Sequence, residues 1–185
     1  MKVILASASP RRQELLKNIF KEFEIIPADV DESIDKNIIA EDAAQFLAEK
    51  KAKFISEKYP DSLIIGSDTT VVLDDLILGK PADYNDAKKM LELLSGKTHK
   101  VITGVSLYIG EKSLSFSEET EVVFFKLSEN EIETYLKTDE WKDKAGAYGI
   151  QGAAGLFVEK INGDYNNVVG LPVARLNRRL KEWGI

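Results

Sequence analysis

Val3-Ile4-Leu5-Ala6-Ser7-Ala8-Ser9-Pro10-Arg11-Arg12 begins as an apolar run and ends on paired arginines. Val3 to Ala6 has the length of a buried strand. Ser9 stands where it can cap a following helix, and Pro10 supplies the fixed φ that the first helical position favours. Gln13-Glu14-Leu15-Leu16 continues that helix, which puts Arg11 and Arg12 in its first turn. A first turn carries unpaired N–H groups and the positive end of the helix dipole, so Asp or Glu is the usual choice there. Guanidinium groups work against that field unless something anionic is to bind. Phosphate matches both the guanidinium fork and the exposed N–H groups. The competing reading is a solvated basic turn on an ordinary amphipathic helix, which short Ser/Pro/Arg strings also form.

Outward from this strand and helix, apolar runs alternate with helical periods, as in an α/β chain. Phe23 to Pro27 predicts a second short strand, followed by the acidic loop Asp29-Val30-Asp31-Glu32-Ser33. A helix is expected over about Glu41 to Lys58, with Ala44, Leu47, Phe54 and Ile55 on its apolar face. Lys51 falls inside that stripe, four residues after Leu47 and three before Phe54, whereas Lys50 and Lys53 point away. Its stem can snorkel to water, or its ammonium can reach into a ligand cleft. Ser62 to Leu73 holds the clearest core strand, interrupted by Ser67-Asp68-Thr69-Thr70. An ionised aspartate there must be paired, hydrogen-bonded or metal-bound, which makes Asp68 a candidate for chemistry. Tethering to Thr69 and Thr70 is the plainer alternative.

Asp74-Asp75 predicts a hairpin turn, and Lys80 follows at the end of the next short strand. Ala87, Met90, Leu91 and Leu94 mark a helix that Gly96 terminates. His99–Ile109 and Ser113–Leu127 predict an antiparallel hairpin within a mixed sheet. His99 is the only histidine, so none can share a metal with it, and it reads as a hydrogen-bonding residue at a strand start. Ser128 with Glu131 predicts a capping box for a helix over Glu129–Lys137. The small residues from Lys144 to Gly152, around Tyr148 and Gln151, permit close backbone approach, either to a ligand or of loop on sheet. They match neither a dinucleotide fingerprint nor a Walker A loop. Leu156–Ile161 predicts another strand, Asn162-Gly163 its turn, and Pro172 opens a terminal helix carrying Val173, Leu176, Leu180 and Trp183.

Composition narrows the possible functions. A chain of 185 residues with no low-complexity linker is expected to form one domain, 1–185. Its 44% hydrophobic and 30% charged content is globular, and no apolar run is long enough to span a membrane. The few apolar residues after Lys2 are too short for a secretory signal, and the absence of cysteine excludes disulfides, thiolate catalysis and Cys-based zinc sites. A cytoplasmic setting is expected. The net charge of −6 argues against nucleic acid as a partner and for a small, locally gripped phosphate ligand.

Together, Leu5–Arg12, Gly66-Ser67-Asp68-Thr69, Gly79-Lys80-Pro81, Leu94-Ser95-Gly96 with Thr103-Gly104-Val105, Asp143–Gly152 and Asn167–Pro172 resemble the Maf family of nucleoside triphosphate pyrophosphatases. The resemblance covers essentially the whole chain. It implies an elongated α/β mixed sheet with flanking helices and two lobes around a cleft, similar to inosine triphosphate pyrophosphatases. It further implies hydrolysis of a nucleoside triphosphate to monophosphate and pyrophosphate with a divalent metal, Mg²⁺ or Mn²⁺, and is compatible with a homodimer. By the same resemblance Asp68 matches the proton acceptor, and Ser7, Arg12, Lys51 and Lys80 match the phosphate-gripping set. Glu32 and Asp68 match carboxylates at the metal. Arg11, Thr69 and Gln151 match the subfamily acting on dTTP and UTP, where the 7-methyl-GTP type has Trp, Gln and Glu. A side-chain amide at Gln151 also offers a donor and an acceptor to the imide edge of uracil or thymine. Ser67 departs mildly from the pattern, since many relatives have Ala there. The rival readings are a regulator of septum formation that binds a nucleotide without turning it over, and a phosphatase that removes the terminal phosphate.

Overall fold

The computed structural model describes residues 1–34 and 37–185. Strands β1 (Val3–Leu5), β2 (Glu24–Ile25), β3 (Leu63–Leu73), β4 (Leu76–Leu78), β5 (Thr98–Ile109), β6 (Lys112–Phe124) and β7 (Val158–Asn162) form one mixed sheet. Its order is β2-β1-β3-β5-β6-β7, and β4 pairs with β3 off this path. β1 runs parallel to β2 and β3, and the remaining pairs are antiparallel. Helices α1 (Pro10–Leu16), α2 (Ala43–Ser56), α3 (Tyr84–Leu94), α4 (Glu129–Leu136), α5 (Tyr165–Val169) and α6 (Val173–Glu182) flank it. This is the mixed α/β architecture expected from the sequence.

Two large apolar clusters lie along the sheet. One gathers Val71, Leu91, Val101, Val122, Phe124 and Phe157. The other gathers Leu5, Leu16, Leu63, Leu107, Phe116 and Leu176. β3, β5 and β6 each feed both clusters, and Ser67 to Thr70 occupies the stretch of β3 between them.

α2 lies directly on β3 and β5 because two facing strand positions lack a side chain. A Cβ at Gly66 would overlap the Ala48 carbonyl and press on Ala52, and one at Gly104 would overlap the backbone of Ala44 and Gln45. Gly104 is also the cross-strand partner of Asp68. This close approach brings the buried side of α2, including Lys51, against the middle of β3.

Several local expectations need correction. Ser9 occupies the N-cap position of α1, yet its side chain makes no cap bond; instead its N–H donates to Ser7 Oγ at 3.3 Å. The Phe23–Pro27 strand shrinks to Glu24–Ile25. Leu156 does not begin a strand: Ala153–Phe157 is a 3₁₀ turn, whose three-residue repeat buries Ala154 and Phe157 while Leu156 is 84% exposed. Pro172 is the N-cap of α6 rather than its first residue, and α5 precedes it without having been expected. The Ser128–Glu131 capping box and the His99–Ile109 hairpin strand are present.

Candidate active site

The end of β1, the first turn of α1, the middle of β3, one face of α2 and the Lys142–Gln151 segment surround a cavity of about 750 Å³. Ser7, Arg11, Arg12, Glu32, Lys51, Asp68, Thr69, Lys80 and Gln151, every site residue expected from the sequence, line it.

Arg12 is fixed on three sides. Its Nε donates to the Gly170 carbonyl at 2.8 Å, one terminal nitrogen to Ser7 Oγ at 3.2 Å and the other to Thr69 Oγ1 at 2.9 Å. Burial lowers its pKa, opposed by the charge of Asp68, and a guanidinium so placed remains cationic. The Thr69 hydroxyl is shared with Thr103 at 2.9 Å, and Thr103 donates to the Asn167 carbonyl at 2.9 Å. Asn167 is fully buried and donates its amide to Val101 O and Thr120 Oγ1. Thr103, Asn167 and Gly170 thus belong to the site as the support of Arg12. Their motifs are visible in the sequence but their role is not, because their partners lie far away along the chain.

The same cavity holds the carboxylates. Lys51 is buried, and its ammonium bridges Asp68 Oδ1 at 2.5 Å and Glu32 Oε1 at 2.8 Å. Of the two readings of Lys51, the inward one holds. The threonines do not tether Asp68; a cation does. Burial raises the Glu32 carboxyl, but its hydrogen bond to Lys51 and the charges of Lys51 and Lys80 outweigh this and leave it below the usual range. Lys80 is 3.8 Å from Glu32 Oε2 and exposed, so its ammonium can turn toward an anion in the cavity.

Asp68 and Glu32 already converge on one cation, which is what a hard divalent ion requires of oxygen donors. No group of three or more His, Cys, Asp or Glu suited to a metal occurs among the described residues. A two-carboxylate donor set fits Mg²⁺ or Mn²⁺ whose remaining positions are filled by phosphate oxygens and water.

His99 lies outside this cavity's lining. It is 2% exposed, its Nε2 is 2.8 Å from the Tyr148 hydroxyl, and burial lowers its pKa to about 4. With Phe124 edge-on to both rings, it anchors the start of the glycine-rich loop.

The chain shares its overall fold with HAM1 proteins. A HAM1 protein from Coxiella burnetii superposes with a TM-score of 0.53 at 15% identity, covering 98% of this chain and 99% of that one. A nucleoside-triphosphatase/dITP/XTP pyrophosphatase from Mycobacterium abscessus gives 0.51 at 16% identity, covering 99% and 98%. At such identity the likeness is one of fold. The Maf-like protein family model matches residues 2–183, and the chain belongs to that family. A dTTP/UTP pyrophosphatase from Bacillus cereus (strain B4264) is 50% identical over 184 residues, covering 100% of this chain and 96% of the relative. One of the same description from Bacillus cytotoxicus is 50% identical over 182 residues, covering 98% and 95%.

Proposed function

We propose that this protein hydrolyses dTTP and UTP to the nucleoside monophosphate and pyrophosphate. The observation that carries this reading is the single cavity in which Arg12, Lys51 and Lys80 face the Asp68–Glu32 pair. The half-identical relatives described as dTTP/UTP pyrophosphatases support the choice of substrate.

Water attacks the α-phosphorus in line, the bond to the bridging oxygen breaks, and pyrophosphate leaves. Phosphoryl-type substitution depends chiefly on positioning and on neutralising charge. Arg12 arrives preorganised, since Ser7, Thr69 and Gly170 fix it before substrate binds. Lys51 and Lys80 contribute the remaining positive charge beside the triphosphate. Asp68, whose Oδ1 is held by Lys51, takes the proton of the attacking water. A divalent cation held by Asp68 and Glu32 would neutralise phosphate charge and lower the pKa of water, which a carboxylate base by itself handles poorly at neutral pH. Arg11, Thr69 and Gln151 act in selecting the base, and Thr69 also accepts a hydrogen bond from Arg12. A cytoplasmic setting follows from that substrate.

Incubation with UTP, dTTP, CTP and GTP, with Mg²⁺, Mn²⁺ or EDTA, and chromatography of the products tests the proposal. The expected result is monophosphate plus pyrophosphate from UTP and dTTP, abolished by EDTA. Release of orthophosphate and a diphosphate would point to the terminal-phosphate reaction. Stoichiometric binding without turnover in the presence of metal would favour the regulator.

A further inference from the structure

The glycine-rich segment carrying Gln151 is anchored at both ends, and the second anchor has no role in the reaction described above. At the first end, Gly146 donates its N–H to the Gly79 carbonyl at 3.1 Å, and the Tyr148 hydroxyl meets His99. Beyond it, the Gly152 N–H donates to the Gly149 carbonyl at 3.1 Å, closing a turn with Ile150 and Gln151 at its centre. Gln151 is exposed on this turn and lines the cavity.

The turn rests on Glu140 and Lys144. The Ala153 N–H donates to Glu140 Oε2 at 2.8 Å, and the Lys144 ammonium donates to the Glu140 carbonyl. Gly152 has φ −100° and ψ −155°, a conformation open to any L residue, so its lack of a side chain is not a matter of backbone strain. A Cβ there would instead overlap the Glu140 carboxylate. At Gly149, a Cβ would come within 2.7 Å of Lys144 Cε. Each glycine flanking Ile150-Gln151 thus packs against one of these two side chains, which a larger residue would push aside. The Glu140 turn is itself fastened by the Trp141 indole N–H, which donates to the Leu136 carbonyl at 2.9 Å.

Such a rest matters for an amide. One orientation of a glutamine amide complements uracil and its flip complements cytosine, so Gln151 discriminates only while the turn keeps its side chain within reach of the base edge. We propose that Glu140 and Lys144 are specificity-positioning residues, which hold the Gly149–Gly152 turn where Gln151 reaches the imide edge of the base. This rests on the assignment of Gln151 to base selection.

The test compares kcat/KM for UTP and CTP in Glu140→Ala, Glu140→Gln, Gly152→Ala, Lys144→Met and Gln151→Ala, with inhibition by inorganic tripolyphosphate as the readout of the phosphate grip. Glu140→Ala is expected to lower UTP-over-CTP discrimination about tenfold, toward that of Gln151→Ala, a loss of about 1.4 kcal/mol. Tripolyphosphate inhibition stays at the wild-type level, and Glu140→Gln, which keeps an acceptor for Ala153, restores discrimination. Gly152→Ala reproduces the loss on its own and adds nothing further in the Glu140→Ala background, where the overlapping carboxylate is gone. If Glu140→Ala does not fold, Gly152→Ala decides the matter in the same assay. Wild-type discrimination in these variants, with discrimination lost in Gln151→Ala, overturns the positioning role alone. Wild-type discrimination in Gln151→Ala overturns the assignment on which it rests.

Discussion

Lys51 sits one helical step from being an ordinary snorkelling lysine, and what separates it from one is the pair of carboxylates at its tip. Asp68→Asn removes the proton acceptor but leaves Lys51 its 2.8 Å contact with Glu32. The expected result is a fall in kcat on the order of 10²–10⁴ with an unchanged thermal midpoint, read from steady-state kinetics and calorimetry on one preparation. Lys51 and Asp68 were legible because a charge inside an apolar period must have a partner. Glu32 was found only by family resemblance, since a loop carboxylate interrupts no period. Gly170 and Thr103 offered no signal, their contacts being a backbone carbonyl and a hydroxyl joined across long stretches of chain. His99 gives a second prediction at this scale. Its folded pKa of about 4 lies below its ordinary 6.5, so between these values the unfolded chain binds the extra proton and stability falls as pH falls. From pH 7.5 to pH 5 the loss from this group is about 2 kcal/mol. Urea titrations should show that part of the slope disappear in His99→Gln, which keeps a polar partner for Tyr148.

Helix α2 meets the sheet at Gly66 and Gly104, and no element placement matters more to the site. Gly104→Ala drives a Cβ into the Ala44 and Gln45 backbone, so either the helix lifts or the strand bends. The expected cost is about 1–3 kcal/mol. Because the same helix carries Lys51 to Asp68, kcat should fall in the same variant. Gly79→Ala, where a Cβ meets nothing within 4 Å, leaves the urea midpoint unchanged and serves as the control. Long periodic elements such as α2, α3 and β5 could be read directly. The two residues of β2 and the five of α5 are too short to establish a period, and their conformation is set by the strands and helices they pack against. The 3₁₀ turn at Ala153–Phe157 escaped for a related reason: its apolar residues satisfy a three-residue repeat as well as they suit the start of a strand.

At the scale of the whole molecule, neither apolar cluster owns its strands. Leu63 and Ile65 of β3 belong to one, Val71 and Leu73 to the other, and β5 divides in the same way between Val101 and Leu107. We propose on this ground that the chain unfolds as one cooperative domain. Calorimetry should give a single transition with equal calorimetric and van't Hoff enthalpies, and a pre-transition belonging to either cluster would sink the idea. Sheet order was not legible in advance, because β1 pairs with β3 only after some sixty residues of intervening chain, and pattern does not encode such partners. Continuous strands also limit how the site can respond to a nucleotide. Asp68–Gly104 and Thr69–Thr103 are cross-strand pairs, so the part of the cavity wall that β3 supplies belongs to one hydrogen-bonded plate. The strand backbones of the free and nucleotide-bound proteins should therefore superpose, and any adjustment on binding should fall in α1 and the Lys142–Gln151 segment.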